Sequence, residues 1–170
     1  HIPIREVPDK LDKNLINSKL DLLYKFCNKF NKRPTLNVAG LNPHAGEEGI
    51  LGTEEVDFIN QAIYNWKIKN PQANLSKLIS PDSCWISSAK AWRENNTNPP
   101  DGILALYHDQ GLIPVKIITL NYSVNTTIGL PIIRTSPDHG TGFDIANKGI
   151  AQCQSTVSYT HLTLPTKNEV

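Results

Sequence analysis

The sequence contains no methionine, only three cysteines, and aromatic residues at 7% of the chain. Cys27, Cys84 and Cys153 are odd in number and far apart. That excludes a disulfide framework and a zinc knuckle, and suits a reducing, cytoplasmic setting. A formal net charge of +1 leaves no excess of one sign, so neither nucleic acid nor an anionic membrane is an expected partner. No apolar stretch approaches the length of a membrane span, and there is no internal repeat or low-complexity tract. The chain starts at His1 without a methionine, so it is expected to be the internal piece of a longer gene product.

What is present reads as a globular α/β chain. Its 170 residues are 39% hydrophobic and 19% charged, enough for a real core. Apolar residues at Leu11, Leu15, Ile16, Leu22, Leu23, Phe26, Cys27 and Phe30 have helical spacing, and "KRP" at Lys32–Pro34 ends the pattern. "TLNVAGL" at Thr35–Leu41 reads as a buried strand, followed by the Gly-rich loop "NPHAGEEGILG". Thr53 can cap a helix with Glu54 and Glu55 in its first turn and Val56, Ile59, Ile63 and Trp66 on its buried face. "LSKLIS", "ILALY" and "VKIITL" read as further strands, and "SSAKAWRENN" as a short helix. Helices alternating with short apolar strands predict a largely parallel sheet.

Ligands collect at the carboxyl ends of strands in such sheets. His44 follows one predicted strand and His108 another, with Asp109 beside it, so the fold can bring the two imidazoles to one edge. The plainer alternative is that each histidine caps a strand. Gly46 and Gly49 around His44 favour close approach of backbone to a ligand. Lys116, in an apolar stretch, either snorkels outward or points into a site as an anion partner. Arg134 suits bidentate anion binding, or a surface ion pair. "DHGTGFDIANKGIA" is Gly-rich but lacks the G-x-G-x-x-G spacing of a dinucleotide turn.

Several long motifs, in order, carry a resemblance. "HIPIREV", "GLNPHAGEEGILGTEE", "YHDQGLIPVK" and "VNTTIGLPIIRTSPDHGTGFDIANKG" resemble the 4-hydroxythreonine-4-phosphate dehydrogenase family of vitamin B6 synthesis. The resemblance runs from His1 to about Ala151 and covers only the C-terminal part of that family's chain. It implies an isocitrate/isopropylmalate-dehydrogenase-like three-layer α/β sandwich, lacking its N-terminal half, and a homodimer with a shared active site. It implies NAD-dependent oxidation of a small phosphorylated substrate, 4-phosphooxy-L-threonine, with decarboxylation to 3-amino-2-oxopropyl phosphate. A divalent metal (Zn, Mg or Co) would be held by His1, His44 and His108. Lys116, Asn125 and Arg134 would bind substrate. His139, Gly140, Thr141 and Asp144 would lie near the dinucleotide. Asp109, Lys116 and Asp82 are the candidates for proton transfer. The alternatives are a paralogue acting on another phosphorylated hydroxy acid or diol, or an inactive truncated fragment.

The sequence departs from the family pattern in places. "PDSCW" replaces the usual setting of Asp82, and "DIANKG" places Asn147 where the family has glycine. Asparagine is the next best residue there if φ must be positive. After Ala151 the family continues into a helix. "VSYTHLTLPTKNEV" shows no helical periodicity, so residues 157–170 are expected to be a non-native tail that does not continue the fold, and His161 is left out of the site.

Overall fold

The computed structural model describes residues 1–94, 98–119, 122–138, 142–151 and 153–163. The chain forms two compact units, His1–Pro114 and Val115–Val170, each described by itself. The sequence pattern sets its boundary elsewhere, between 1–151 and a tail at 157–170. The observed division falls inside a helix, just after Pro114, whose ring removes one backbone donor.

The first unit opens with a short helix α1 (Val7–Lys10) and then α2 (Lys13–Cys27). Asp12 caps α2, its Oδ1 accepting the Leu15 N–H at 2.7 Å. Strands β1 (Thr35–Ala39), β2 (Asn74–Ile79) and β3 (Gly102–Leu104) form a parallel sheet in the order β2-β1-β3. Between β1 and β2 lie a tight turn (Pro43–Gly49), a π-helical turn (Glu55–Ile59) and α3 (Asn60–Lys69). Helix α4 (Ile86–Glu94) precedes β3, and α5 (His108–Thr119) follows it. The central strand β1 is buried on both faces from Leu36 to Ala39, the polar Asn37 included. Leu36 and Val38 pack with Ile16, Leu20, Ile59, Ala62, Trp66 and Leu75 in one core. The Trp66 indole donates to Asp21 Oδ1 at 2.7 Å, which satisfies the one polar atom this ring buries.

In the second unit, β4 (Val124–Thr127) and β5 (Arg134–Pro137) form an antiparallel pair against which α6 (Gln154–Thr163) packs. Residues 157–163 continue this helix, although their sequence shows no helical periodicity; residues 164–170 of the expected tail lie outside the described residues. Ser155, 6% exposed, supplies the reason. Its hydroxyl donates to the Ser123 carbonyl at 2.7 Å and accepts the Asp138 N–H at 3.2 Å. A helix anchored by its first turn to a strand pair does not need a strong apolar stripe of its own.

Two expectations are corrected. Residues 115–119 of "VKIITL" end α5 and are not a strand, because a short apolar run fits either period; Leu120 lies outside the described residues. Val56 is 56% exposed and does not join the buried face. The π-turn, closed by the Asn60 N–H on the Glu55 carbonyl, turns Glu55 inward in place of Val56, while Ile59, Ile63 and Trp66 are buried as expected. Asn147 does adopt a positive φ, 61°. The π-turn phase predicts a contrast by urea denaturation. Ile59→Ala should cost about 2–5 kcal/mol, and Val56→Ala no more than about 0.5 kcal/mol.

Candidate active site

All three parallel strands end at one edge, and a predicted site residue follows each: His44 after β1, Asp82 after β2 and His108 after β3. The expected gathering of strand-end loops is therefore present. His1 joins it, its ring 4.6 Å from that of His108, centroid to centroid, and tilted by 47°. A cleft of about 530 Å³ opens there, lined among others by His1, Ile4, Leu11, Tyr107, His108 and Asp109. A larger cleft of about 590 Å³, between α3 and β2, carries none of the predicted site residues.

Each of the two loop histidines has a carboxylate on its Nδ1. His44 Nδ1 lies 3.0 Å from Glu47 Oε1, and His108 Nδ1 lies 2.7 Å from Asp109 Oδ1. That pairing orients each ring and, in the neutral tautomer with Nδ1–H donating to the carboxylate, leaves the Nε2 lone pair for a ligand. The hydrogen bond to Glu47 raises the His44 pKa above its ordinary 6.5, and the charges of Glu47 and Asp82 add to the effect. Asp82 is lowered, mainly by a hydrogen bond from the Ser80 hydroxyl, with His44 contributing. His44 and Asp82 therefore sense each other across neighbouring strand ends.

The donor set fits a divalent cation in kind: three imidazoles, two of them already oriented by carboxylates. Among the described residues no three such side chains yet converge closely enough to hold an ion. His1 and His108 are brought together, and His44 stands at the next loop. Burial pushes the Cys84 thiol up to about 11 and raises that of Cys27, so neither is a ready nucleophile.

The turn that carries His44 is held in an unusual backbone state. His44, Ala45, Gly46, Glu47 and Glu48 have φ of 51°, 55°, 81°, 43° and 57°, a run in the left-handed region. Non-glycine residues there cost roughly 1–2 kcal/mol each and persist only where their surroundings dictate the conformation. Glu55 does so. It is 1% exposed, and its Oε1 accepts the backbone N–H groups of Leu41 (2.8 Å) and Asn42 (2.7 Å). Its Oε2 accepts Asn42 Nδ2 at 2.8 Å. A Cβ on Gly46 would stand 2.8 Å from that same Oε2. The glycine expected to admit a ligand instead admits this carboxylate.

The second unit holds the residues implied to bind substrate. Asn125 lies opposite Ser136 and Thr127 opposite Arg134 in the antiparallel register. Asn125 and Arg134 therefore share one face of the strand pair. Arg134 Nη1 donates to Thr127 Oγ1 at 2.8 Å. Lys116, on α5, donates to the Asp138 carbonyl (3.0 Å) and carboxylate (3.3 Å). Asp144 sits in an exposed 3-10 turn (Phe143–Ile145). His139, Gly140 and Thr141 lie outside the described residues. Sequence reasoning missed Glu55 and Gln110, both buried polar residues at this sheet edge. The signal available was weak: a second glutamate beside Thr53, and an amide directly after the His-Asp pair.

Residues 1–162 match the family model described as pyridoxal phosphate biosynthetic protein PdxA. The chain belongs to the PdxA family. It is 48% identical over 160 residues to the 4-hydroxythreonine-4-phosphate dehydrogenase of Synechococcus sp. (strain RCC307), covering 93% of this chain and 49% of that protein. It is 49% identical over 161 residues to the enzyme of that name from Synechocystis sp., covering 93% and 46%. The solved structure of the 4-hydroxythreonine-4-phosphate dehydrogenase from Klebsiella pneumoniae superimposes with a TM-score of 0.77 at 33% identity, over 96% of this chain and 47% of that one. The chain thus spans about half the length of the PdxA relatives it matches. A further structure, a terephthalate 1,2-cis-dihydrodiol dehydrogenase from Burkholderia xenovorans, matches with a TM-score of 0.63 at 26% identity. Among the described residues no helix is long and apolar enough to cross a membrane.

The Glu55 contacts yield a test within this chain. Glu55→Gln keeps the shape but loses the charge-assisted acceptor, and should cost about 1.5–3 kcal/mol in urea denaturation. Limited proteolysis should cut within 43–49 faster than in the parent chain. An unchanged midpoint and cutting rate would show that Glu55 does not hold the turn.

Proposed function

We propose that the protein containing this chain is an NAD- and divalent-metal-dependent dehydrogenase. It oxidises 4-phosphooxy-L-threonine and decarboxylates the product to 3-amino-2-oxopropyl phosphate, in pyridoxal 5'-phosphate biosynthesis. The observation that carries this reading is that the loops after β1, β2 and β3 place His44, Asp82 and His108 at one sheet edge, with His1 against His108, in a chain of the PdxA family. The shared active site of a homodimer and a cytoplasmic location belong to the same proposal.

When bound, the dinucleotide is the hydride acceptor and the cation a Lewis acid at the substrate oxygen. His1, His44 and His108 would hold the cation through ring nitrogens, with Glu47 and Asp109 each holding the Nδ1 of His44 and His108. Oxidation removes a hydride from C3 and a proton from its hydroxyl. Loss of CO2 then leaves its bonding electron pair on the carbon skeleton, which takes up one proton. The acceptor and donor of these protons are drawn from Asp109, Lys116 and Asp82. Asp82 is held below the ordinary carboxylate range, mainly by the Ser80 hydroxyl. Asp109 already engages His108. Lys116 has its ammonium on Asp138, from which a substrate anion would have to draw it. Arg134 and Asn125, on one strand face, would take the phosphate and orient C3. His139, Gly140, Thr141 and Asp144 would line the dinucleotide.

The likeness to a dihydrodiol dehydrogenase favours one second reading, a diol or hydroxy acid without phosphate. Arg134 separates the two. In the full-length protein, Arg134→Ala should raise KM roughly 10–100-fold for the phosphorylated substrate, and far less for its dephospho analogue. Equal effects on both would move Arg134 to a structural or carboxylate-binding role and favour the second reading.

A further inference from the structure

Gln110 is 7% exposed and lies in the first turn of α5, two residues beyond His108. Its Oε1 accepts the Leu106 N–H at 2.7 Å, and its Nε2 donates to the Gly40 carbonyl at 2.6 Å. The register between β1 and β3 pairs Leu36 with Gly102, Asn37 with Ile103 and Val38 with Leu104. Two residues further along, the same register would set Gly40 against Leu106. At that step a side-chain amide stands between the two backbones, with its acceptor turned to one and its donor to the other. The strands thus splay by the width of an amide and remain tied. On the other side, the Gly40 N–H donates to the Ile79 carbonyl at 2.8 Å. One hydrogen-bonded line therefore crosses the ends of all three strands just before the loops bearing Asp82, His44 and His108 begin.

The line continues into the His44 turn by packing. A Cβ on Gly40 would lie 3.1 Å from both Ala45 Cα and Ala45 Cβ, and 3.4 Å from Pro81 Cδ. Gly40 is therefore wedged between the left-handed turn and the segment leading to Asp82. Whatever moves the Gly40 carbonyl moves the backbone beside His44.

We propose that Gln110 is a positioning residue whose amide fixes the loop carrying His108 against the loop carrying His44, so that the two imidazoles keep a set separation. The functional part of this rests on the reading of His1, His44 and His108 as one cation site. A purely local role, satisfying the Leu106 N–H, would leave the His44 turn untouched when the amide is lost.

The test uses amide hydrogen exchange of the full chain without metal, together with Co2+ titration followed by its visible absorption. Gln110→Leu should speed exchange at Leu106 and also across residues 41–49, by about tenfold or more. Gln110→Glu keeps an acceptor for Leu106 but has no donor for Gly40, and gives the same readout if the leucine variant does not fold. Gly40→Ala approaches the turn from the other side and should disturb the same residues. Asp101→Asn is the control: at the opposite end of the strands it weakens the acceptor of the Thr35 N–H, now 2.7 Å away, and should leave 41–49 unchanged. Co2+ affinity should fall about 10–100-fold in Gln110→Glu, the range seen when groups supporting metal ligands are removed, and stay at the parent value in Asp101→Asn. Unchanged exchange across 41–49, or parent-like Co2+ affinity in Gln110→Glu, overturns the proposal. A parent chain that binds no Co2+ contradicts the cation reading, while the exchange arm still decides the positioning role.

Discussion

Glu55 keeps a carboxylate almost wholly out of solvent, and three N–H groups from Leu41 and Asn42 converge on it. A buried carboxylate without partners would cost several kcal/mol; with them it becomes an anchor. What it anchors is a turn of five successive left-handed residues, four of them not glycine. The strain in that turn and the burial of that carboxylate make sense only together. Ile59, at the other end of the π-turn from Glu55, fixes that segment in the core, so its hydrophobic contacts help set where the carboxylate sits. The entry to the His44 turn is thus tied to the core through the Glu55 side chain.

The same economy recurs between strands. A parallel ladder can hold its register only as far as the backbone bonds continue, and these three strands are short. At their carboxyl ends the chain substitutes side-chain atoms for backbone ones: Gln110 between β1 and β3, and Glu55 beneath the turn after β1. Polar atoms here leave room that a continued sheet would fill. The outward imidazoles then have carboxylates behind them and open space in front, which is the arrangement a ligand site needs.

The elements with clear periodicity were legible. Helix α2, strands β1 and β2 and the buried residues Ile59, Ile63 and Trp66 follow directly from apolar spacing. The placement of His44 and His108 at one edge followed from the parallel topology that spacing implied. What the pattern could not carry was phase and polarity. Val56 fits the helical template until a π-turn shifts the face by one position. Residues 115–119 are apolar enough for a strand and are helical. Residues 157–163 have a weak pattern and are helical because Ser155 ties them to β4 and β5. Glu55 and Gln110 escaped because buried polar residues have no periodic signature. Their role exists only in the partners that the fold supplies from elsewhere in the chain.

The central claim is that the loops after the parallel strands, with His1, build one cation site. The most direct measurement is X-ray absorption at the zinc K edge of the Zn-loaded protein, comparing the parent with His1→Ala, His44→Ala and His108→Ala. The account predicts three imidazole nitrogens at about 2.0–2.1 Å in the parent and the loss of one from each variant. A parent spectrum dominated by sulfur or by carboxylate and water oxygen, or one unchanged by His44→Ala, would contradict it.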